Sequence, residues 1–189
     1  MQVAVVTRFG TPEVLETSEA TDPVAAPGDA VIDVAVADVL WVETVIRQGG
    51  GGDYFDVTPP YVPGNGVASR VRAVGDGVAP GWIGRRVAAH TGERGGYAER
   101  VTVPADGLIA VPDRLDLREA AALLADGPTV LSLFEGMGIG GGDRVLVLGA
   151  SGGLGILSVQ LARARAARAR AARVIAVARD ERKLTRIGS

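Results

Sequence analysis

VLVLGASGGLGILSVQLARARAARARAARVIAVARD, residues 145–180, decides how this chain is read. Its opening, with Arg144 ahead of it, is a short apolar run of the kind that forms a buried parallel strand. The turn Gly149-Ala150-Ser151-Gly152-Gly153-Leu154-Gly155 comes next, then a long helix-forming stretch, and Arg173–Ala178 returns as a second strand. The pattern predicts one β-α-β unit whose helix begins inside the glycine turn. Gly152 lets the backbone approach a pyrophosphate, and Gly155 lets the helix pack closely on the strand. The free N–H groups of the first helical turn offer an anion the positive end of the helix dipole, without any charged side chain. Glycine also serves ordinary tight turns, but a strand before it and a helix after it are the setting that a dinucleotide site requires.

The end of the second strand bears on which dinucleotide. An acidic residue there would take the ribose 2′-hydroxyl, whereas this chain has Ala178 and then Arg179, with Arg182 and Lys183 one turn on. Basic groups favour a 2′-phosphate, and so NADPH; a solvated basic turn is the other reading. Between turn and strand, Ala162–Ala166 is repeated as Ala167–Ala171. Five added helical residues lengthen a helix by about 7.5 Å and rotate the residues after it by about 140°. Either the helix overshoots and a bulge absorbs the excess, or the second strand loses its register. Residues 163–189 carry nine Arg and Lys against Asp180 and Glu181, on an otherwise acidic chain. Such a tail invites a nucleic-acid reading. Its arginines scatter around the helix, however, and no aromatic is interleaved for base stacking, so a solvated Ala/Arg helix and no nucleic-acid partner are expected.

Beyond this stretch, 189 residues leave room for one ample domain or one and a half ordinary ones. Hydrophobic residues make up 47% but aromatics only 4%, so much of the apolar content is small aliphatic side chain. There is no uncharged apolar run of about 18 residues, and Met1 leads into a strand-like segment, not the apolar core of a signal peptide. A soluble, cytoplasmic chain with no membrane partner is expected. With no Cys and His90 as the one histidine, disulfides, thiolate zinc sites and multi-histidine metal sites are excluded. No metal is expected, although a carboxylate-only site stays open.

Residues 1–115 read as short β segments between Gly and Pro punctuation: MQVAVVTRFG, DAVIDVAVADV, VASRVRAVGDGV, GRRVAAH, GGYAERVTVP and GLIAVP. Turns at such spacing predict a compact β-barrel or sandwich. RQGGGGDYFDVTPPYVPGNG, residues 47–66, reads as a long surface loop. From Asp116 the spacing becomes helical, with Asp116 or Asp113 as a cap and Pro128 opening a second helix. The expected division is therefore 1–115 and 116–189.

Taken in order, RFGTPEVLE (8–16), WVETVIRQG (41–49), VPGNGVASRVRAVGDGV (62–78), GWIGRRVAAH (81–90), GGYAERVTVPADGLIAVPDRLDLREAAAL (95–123), DGPTVLSLF (126–134) and GDRVLVLGASGGLG (142–155) resemble the medium-chain dehydrogenase/reductases. The resemblance is to their zinc-independent quinone oxidoreductase branch. It implies an α/β plus β fold, in which a GroES-like β-barrel catalytic domain precedes the first part of a Rossmann domain, a doubly wound parallel sheet. It also implies NADPH-dependent reduction of a small quinone or enone by hydride transfer. The cofactor would be bound by Gly149, Ala150, Ser151, Gly152, Gly153, Leu154, Gly155, Arg179 and Lys183, with Thr129 beside the nicotinamide unless that threonine only caps or packs.

Departures accompany the resemblance. Zinc-dependent relatives carry Gly-His-Glu where Gly64-Asn65-Gly66 stands, and a Cys near Leu40; Leu40 and Val45 also replace an Asn and a Tyr that frame the substrate in related reductases. Gly84-Arg85 replaces the usual Gly-Asp. The chain also stops short of the family's length, without the rest of the parallel sheet and the usual dimer edge. The competing expectation is thus a truncated, non-catalytic remnant or scaffold with weak or no nucleotide binding. Among lesser candidates, His90 would donate a proton to reduced substrate or be merely structural. Trp41 and Tyr54 would shape a substrate pocket, or Trp41 would be core. Glu43 and Arg47, at i and i+4, read as a helix-face ion pair.

Overall fold

The structure is a computed structural model, and it describes residues 1–92, 94–139, 143–169, 173–180, 182, 183 and 185, with backbone alone at Asp53 and at 167–169. The chain divides into two compact units, Met1–Leu124 and Ala125–Ser189. The change falls within one helix.

In the first unit, β1 (Gln2–Val6) pairs antiparallel with β2 (Leu15–Glu19). β3 (Asp29–Ala37), β4 (Gly66–Val74), β5 (Arg86–His90), β6 (Arg100–Pro104) and β7 (Ile109–Ala110) form an antiparallel sheet in the order β6-β3-β4-β5-β7. One face of the sheet buries a valine-rich cluster around Ile32, Val67, Val71, Val87 and Val103. A fully buried aliphatic side chain of this kind contributes about 1.5–3 kcal/mol. The other face carries the small Ala68 and Ala88, onto which Ala120, Ala121 and Leu124 pack. Both faces are therefore covered, and β3 buries Ala30, Val31 and Ile32 in succession.

The expected barrel is corrected in one respect: among the described residues the sheet does not close. Pro104 ends β6, β7 is two residues long before Pro112, and β1–β2 joins the rest through the isolated bridges Val3–Ala98 and Val6–Tyr61. Closure needs a continuous staggered ladder, which isolated bridges do not supply. The expected surface loop is corrected as well. It contains only one short 3₁₀ turn, Gly52–Tyr54, but its Val57 and Tyr61 are buried with Val6, Val14 and Ile46.

Helix α1 (Trp41–Arg47) precedes that loop, and α2 (Leu117–Gly136) comes after β7. Asp116 caps α2: its Oδ1 accepts the Arg118 N–H at 2.8 Å, while Glu119 accepts the Asp116 N–H at 3.1 Å. Pro128 lies inside α2 and opens no second helix. Proline removes only the hydrogen bond to the carbonyl four residues back, and the helix beyond it is held by Val130 and Phe134 against Ala162.

The second unit contains β8 (Arg144–Leu148), α3 (Gly153–Ala169) and β9 (Arg173–Val177). β8 and β9 pair in parallel without a register shift, from Arg144 opposite Arg173 to Leu148 opposite Val177. The alternative in which the ARARA repeat costs β9 its pairing is thereby overturned. Residues 170–172, which join α3 to β9, lie outside the described residues. Val145, Val147, Val174 and Ala176 pack beneath α3, but on the opposite face Leu146 is 58% and Leu148 72% exposed. No helix among the described residues is long and apolar enough to cross a membrane.

Candidate functional site: the glycine turn and the basic turn after β9

Leu148 hands the chain to Gly149, whose φ of +71° lies in the left-handed region that glycine adopts without strain. The Ala150 N–H donates to the Val177 carbonyl at 2.9 Å, tying the turn to the end of β9, and the Gly152 N–H donates to the Gly149 carbonyl at 3.0 Å. The first helical bond of α3 runs from the Ile156 N–H to the Gly152 carbonyl, 2.9 Å, so the N–H groups of the opening turn are left for another acceptor.

Each glycine has its own reason. A methyl at Gly155 would collide with the Gly149 carbonyl and come within 2.8 Å of the Ala150 Cα, so this residue sets the approach of α3 to β8. A methyl at Gly153 would run into the carboxylate of Asp126. At Gly152 a methyl would meet only the Gly149 carbonyl, at an ordinary 3.5 Å. Packing inside the protein therefore does not require glycine at 152, whereas a ligand lying on this turn would.

A cleft of about 460 Å³ opens over the turn. Gly149, Ser151 and Gly152 form one side; Val177, Ala178, Arg179, Asp180 and Lys183 form the other. The fold thus brings the glycine turn and two cationic side chains into one hollow. Ala150 is completely buried beneath it, Leu154 is 41% exposed and does not line it, and the Thr129 hydroxyl donates to the Ala125 carbonyl within α2, 2.9 Å. Asp180 is the residue that sequence reasoning passed over. Its Oδ1 accepts the Arg182 N–H at 2.9 Å and its carbonyl accepts the Lys183 N–H at 3.1 Å, which folds the chain back so that Lys183 rejoins the cleft. The signal was present as an Asp followed directly by Glu181, an acidic helix start.

The first unit holds the other candidates. His90 ends β5, exposed, with Nδ1 3.2 Å from Asn65 Oδ1. Trp41, at the start of α1, is 80% exposed and Tyr54 90%, so the core alternative for Trp41 is overturned. Glu43 and Arg47 are both buried and make no ion pair with each other: Arg47 reaches the Gly10 carbonyl at 2.7 Å, and Glu43 accepts the Leu40 N–H at 2.8 Å and the Tyr97 hydroxyl at 3.0 Å. Burial, with Glu43 beside it, pushes the Tyr97 phenol well above its ordinary value. The Tyr61 phenol is also raised, chiefly by burial, and its oxygen has no hydrogen-bond partner. Gly66, where zinc-dependent relatives place an acid, donates its N–H to Asp38 at 3.0 Å, and a methyl there would meet Asp38 and Leu124. Among the described residues no three His, Cys, Asp or Glu side chains gather as a metal site.

Residues 26–113 match the alcohol dehydrogenase GroES-like domain family. A quinone oxidoreductase from Mus musculus is 38% identical over 168 residues, 87% of this chain and 50% of the relative. The domain match and this relative support a quinone-oxidoreductase-like member of the medium-chain dehydrogenase/reductase superfamily, with a GroES-like part followed by a partial Rossmann-like part. The chain spans about half the length of the curated relatives it matches. Among solved structures, the quinone oxidoreductase of Thermus thermophilus, determined also in complex with NADPH, superposes with a TM-score of 0.80 at 32% identity, covering 97% of this chain and 55% of the other. An NAD-dependent alcohol dehydrogenase superposes with a TM-score of 0.89 at 28% identity, covering 100% and 61%.

Proposed function

We propose that this chain carries the cofactor-recognising turn of a zinc-free, NADPH-dependent oxidoreductase that reduces quinones or α,β-unsaturated carbonyls. The observation that carries the reading is the single cleft shared by the Gly149–Gly152 turn and by Arg179 and Lys183. The relatives support it, one of them having been determined in complex with NADPH. The residues fit such a group: the open space at Gly152 and the unpaired N–H groups of α3 suit a pyrophosphate, and the two cations suit a 2′-phosphate. When bound, the dihydronicotinamide supplies the hydride. What the chain supplies is orientation: the turn and the dipole of α3 fix the pyrophosphate, and Arg179 and Lys183 fix the adenosine end, so that positioning and not a nucleophile lowers the barrier. Zinc has no part in this reading, because the chain lacks Cys and places Asn65 and Gly66 where zinc-dependent relatives place His and Glu.

The exposed Leu146 and Leu148 face favours a second reading, a scaffold whose nucleotide half binds weakly. Calorimetric titration of adenosine 2′,5′-bisphosphate and NADPH distinguishes the two. Each charge-assisted phosphate contact contributes about 1.5–3 kcal/mol, so Arg179→Ala with Lys183→Ala is expected to weaken both ligands by about 100-fold or more while leaving adenosine 5′-monophosphate within a few-fold. Equal affinities for the 2′-phosphorylated and unphosphorylated ligands in the unmodified chain would refute the NADPH assignment.

A further inference from the structure

The start of α3 already has an anion against it. Asp126, half-buried on α2, belongs to the same compact unit as the glycine turn. A methyl built on Gly153 would collide with Asp126 Oδ2 and lie 3.5 Å from its Cγ, so glycine at 153 is what lets the carboxylate reach the first residue of α3. No cation balances that charge. Among the described residues the ion pairs join Met1 and Arg100 to Asp22, Arg72 and Arg100 to Asp33, and Arg86 to Asp113. The positive neighbour of Asp126 is instead the opening turn of α3, whose first internal bond runs from the Ile156 N–H to the Gly152 carbonyl, 2.9 Å. Asp126 does not line the hollow that holds Arg179 and Lys183; it meets the turn one residue past Gly152, which does.

We propose that Asp126 is an internal counter-anion of α3: it steadies the helix start when no ligand is bound and lowers the affinity of the same helix start for a diphosphate. The proposal rests on the cofactor reading above. A helix N-terminus carries about half a positive charge, less than the full negative charge of one carboxylate, so it cannot neutralise Asp126 and a phosphate together. A phosphate arriving at the turn therefore meets net repulsion from Asp126. The two roles pull in opposite directions. A side chain that only packed against the turn would, on substitution, loosen the turn and weaken the ligand together, whereas a competing anion loosens the empty turn and tightens the ligand. Asp126→Asn keeps the size and removes the charge.

The test titrates adenosine 5′-diphosphate into the full 189-residue chain and its Asp126→Asn variant, at low salt and near 1 M salt, and follows amide exchange of α3 without ligand. Removing one unit charge a few ångströms from the phosphates is expected to tighten the diphosphate about three- to tenfold at low salt. That gain is expected to shrink below about twofold near 1 M salt, where screening acts over about 3 Å. Without ligand, the α3 amides of the variant are expected to exchange faster. Asp126→Ser, smaller and also neutral, is expected to move both quantities the same way, and it serves if the Asn variant loses its fold. Diphosphate affinity unchanged within about twofold or weakened in the folded variants, or exchange no faster than in the unmodified chain, overturns the role of Asp126 and leaves the cofactor reading standing. Failure of the unmodified chain to bind the diphosphate overturns both.

Discussion

The two units solve the same problem, covering a small sheet, with unequal success. In the first, Ile32 and Val67 are fully buried on one face and Ala68 and Ala88 accept Ala121 and Leu124 on the other. In the second, α3 covers Val145, Val147 and Val174, while Leu146, Leu148 and, in part, Ile175 and Val177 face outward. A parallel pair normally has helices on both faces. The unit that contains the glycine turn is therefore also the one with the less complete core, its β8–β9 pair being covered by α3 on one face only. Local opening free energies track buried apolar contact, so the second unit is the one expected to open first. A turn formed for only about a tenth of the time weakens apparent ligand affinity about tenfold.

The largest test of this contrast is at Ile32. Ile32→Ala opens a cavity in a closed core and is expected to cost about 2–5 kcal/mol, read from chemical denaturation of the first unit. A loss below about 1 kcal/mol would mean that this core is not the tight one. A smaller effect concerns the polar spot in the same unit. Tyr97 and Tyr61 both have phenols raised above their unfolded values, so the stability held in their neutral forms is fully present below about pH 10 and is lost as pH rises past it. Tyr97→Phe removes the donor to Glu43, is expected to cost about 1.5–3 kcal/mol, and shallows that alkaline decline. A steeper decline in the variant would contradict the assignment. The smallest effect is at Leu148, 72% exposed. Leu148→Ser is expected to change stability by less than about 0.5 kcal/mol, with the amides of β8 and β9 exchanging before those of β3 and β4 in both proteins. Equal protection of the two sheets would erase the contrast.

Several errors of sequence reading share one cause. Glu43 and Arg47 sit at a spacing that predicts a helix-face pair, yet the partner of Glu43 is Tyr97, 54 residues later, and that of Arg47 is Gly10, 37 residues earlier. Pro128 reads as a helix start, but packing of Val130 and Phe134 outweighs the one hydrogen bond it forfeits. The Gly-rich loop reads as surface, although Tyr61 closes a cluster with residues from β1 and α1. Asp180 was overlooked because nothing along the chain shows that it shares a cleft with Gly149 and Gly152, some thirty residues away.

By itself the sequence determined what is encoded in contiguous stretches: the β8 run, the glycine turn, the helix after it, the return at β9, the β-rich first part and the family they add up to. Those features are local, because backbone conformation at a glycine or along an apolar run depends mainly on neighbouring residues. Tertiary structure alone decided the rest: the failure of the sheet to close among the described residues, the burial of Glu43 and Arg47, the approach of the Asp126 carboxylate to Gly153, and the meeting of Arg179, Asp180 and Lys183 with the turn. Each of these depends on distances between segments far apart in the chain, and no spacing along a sequence records such distances.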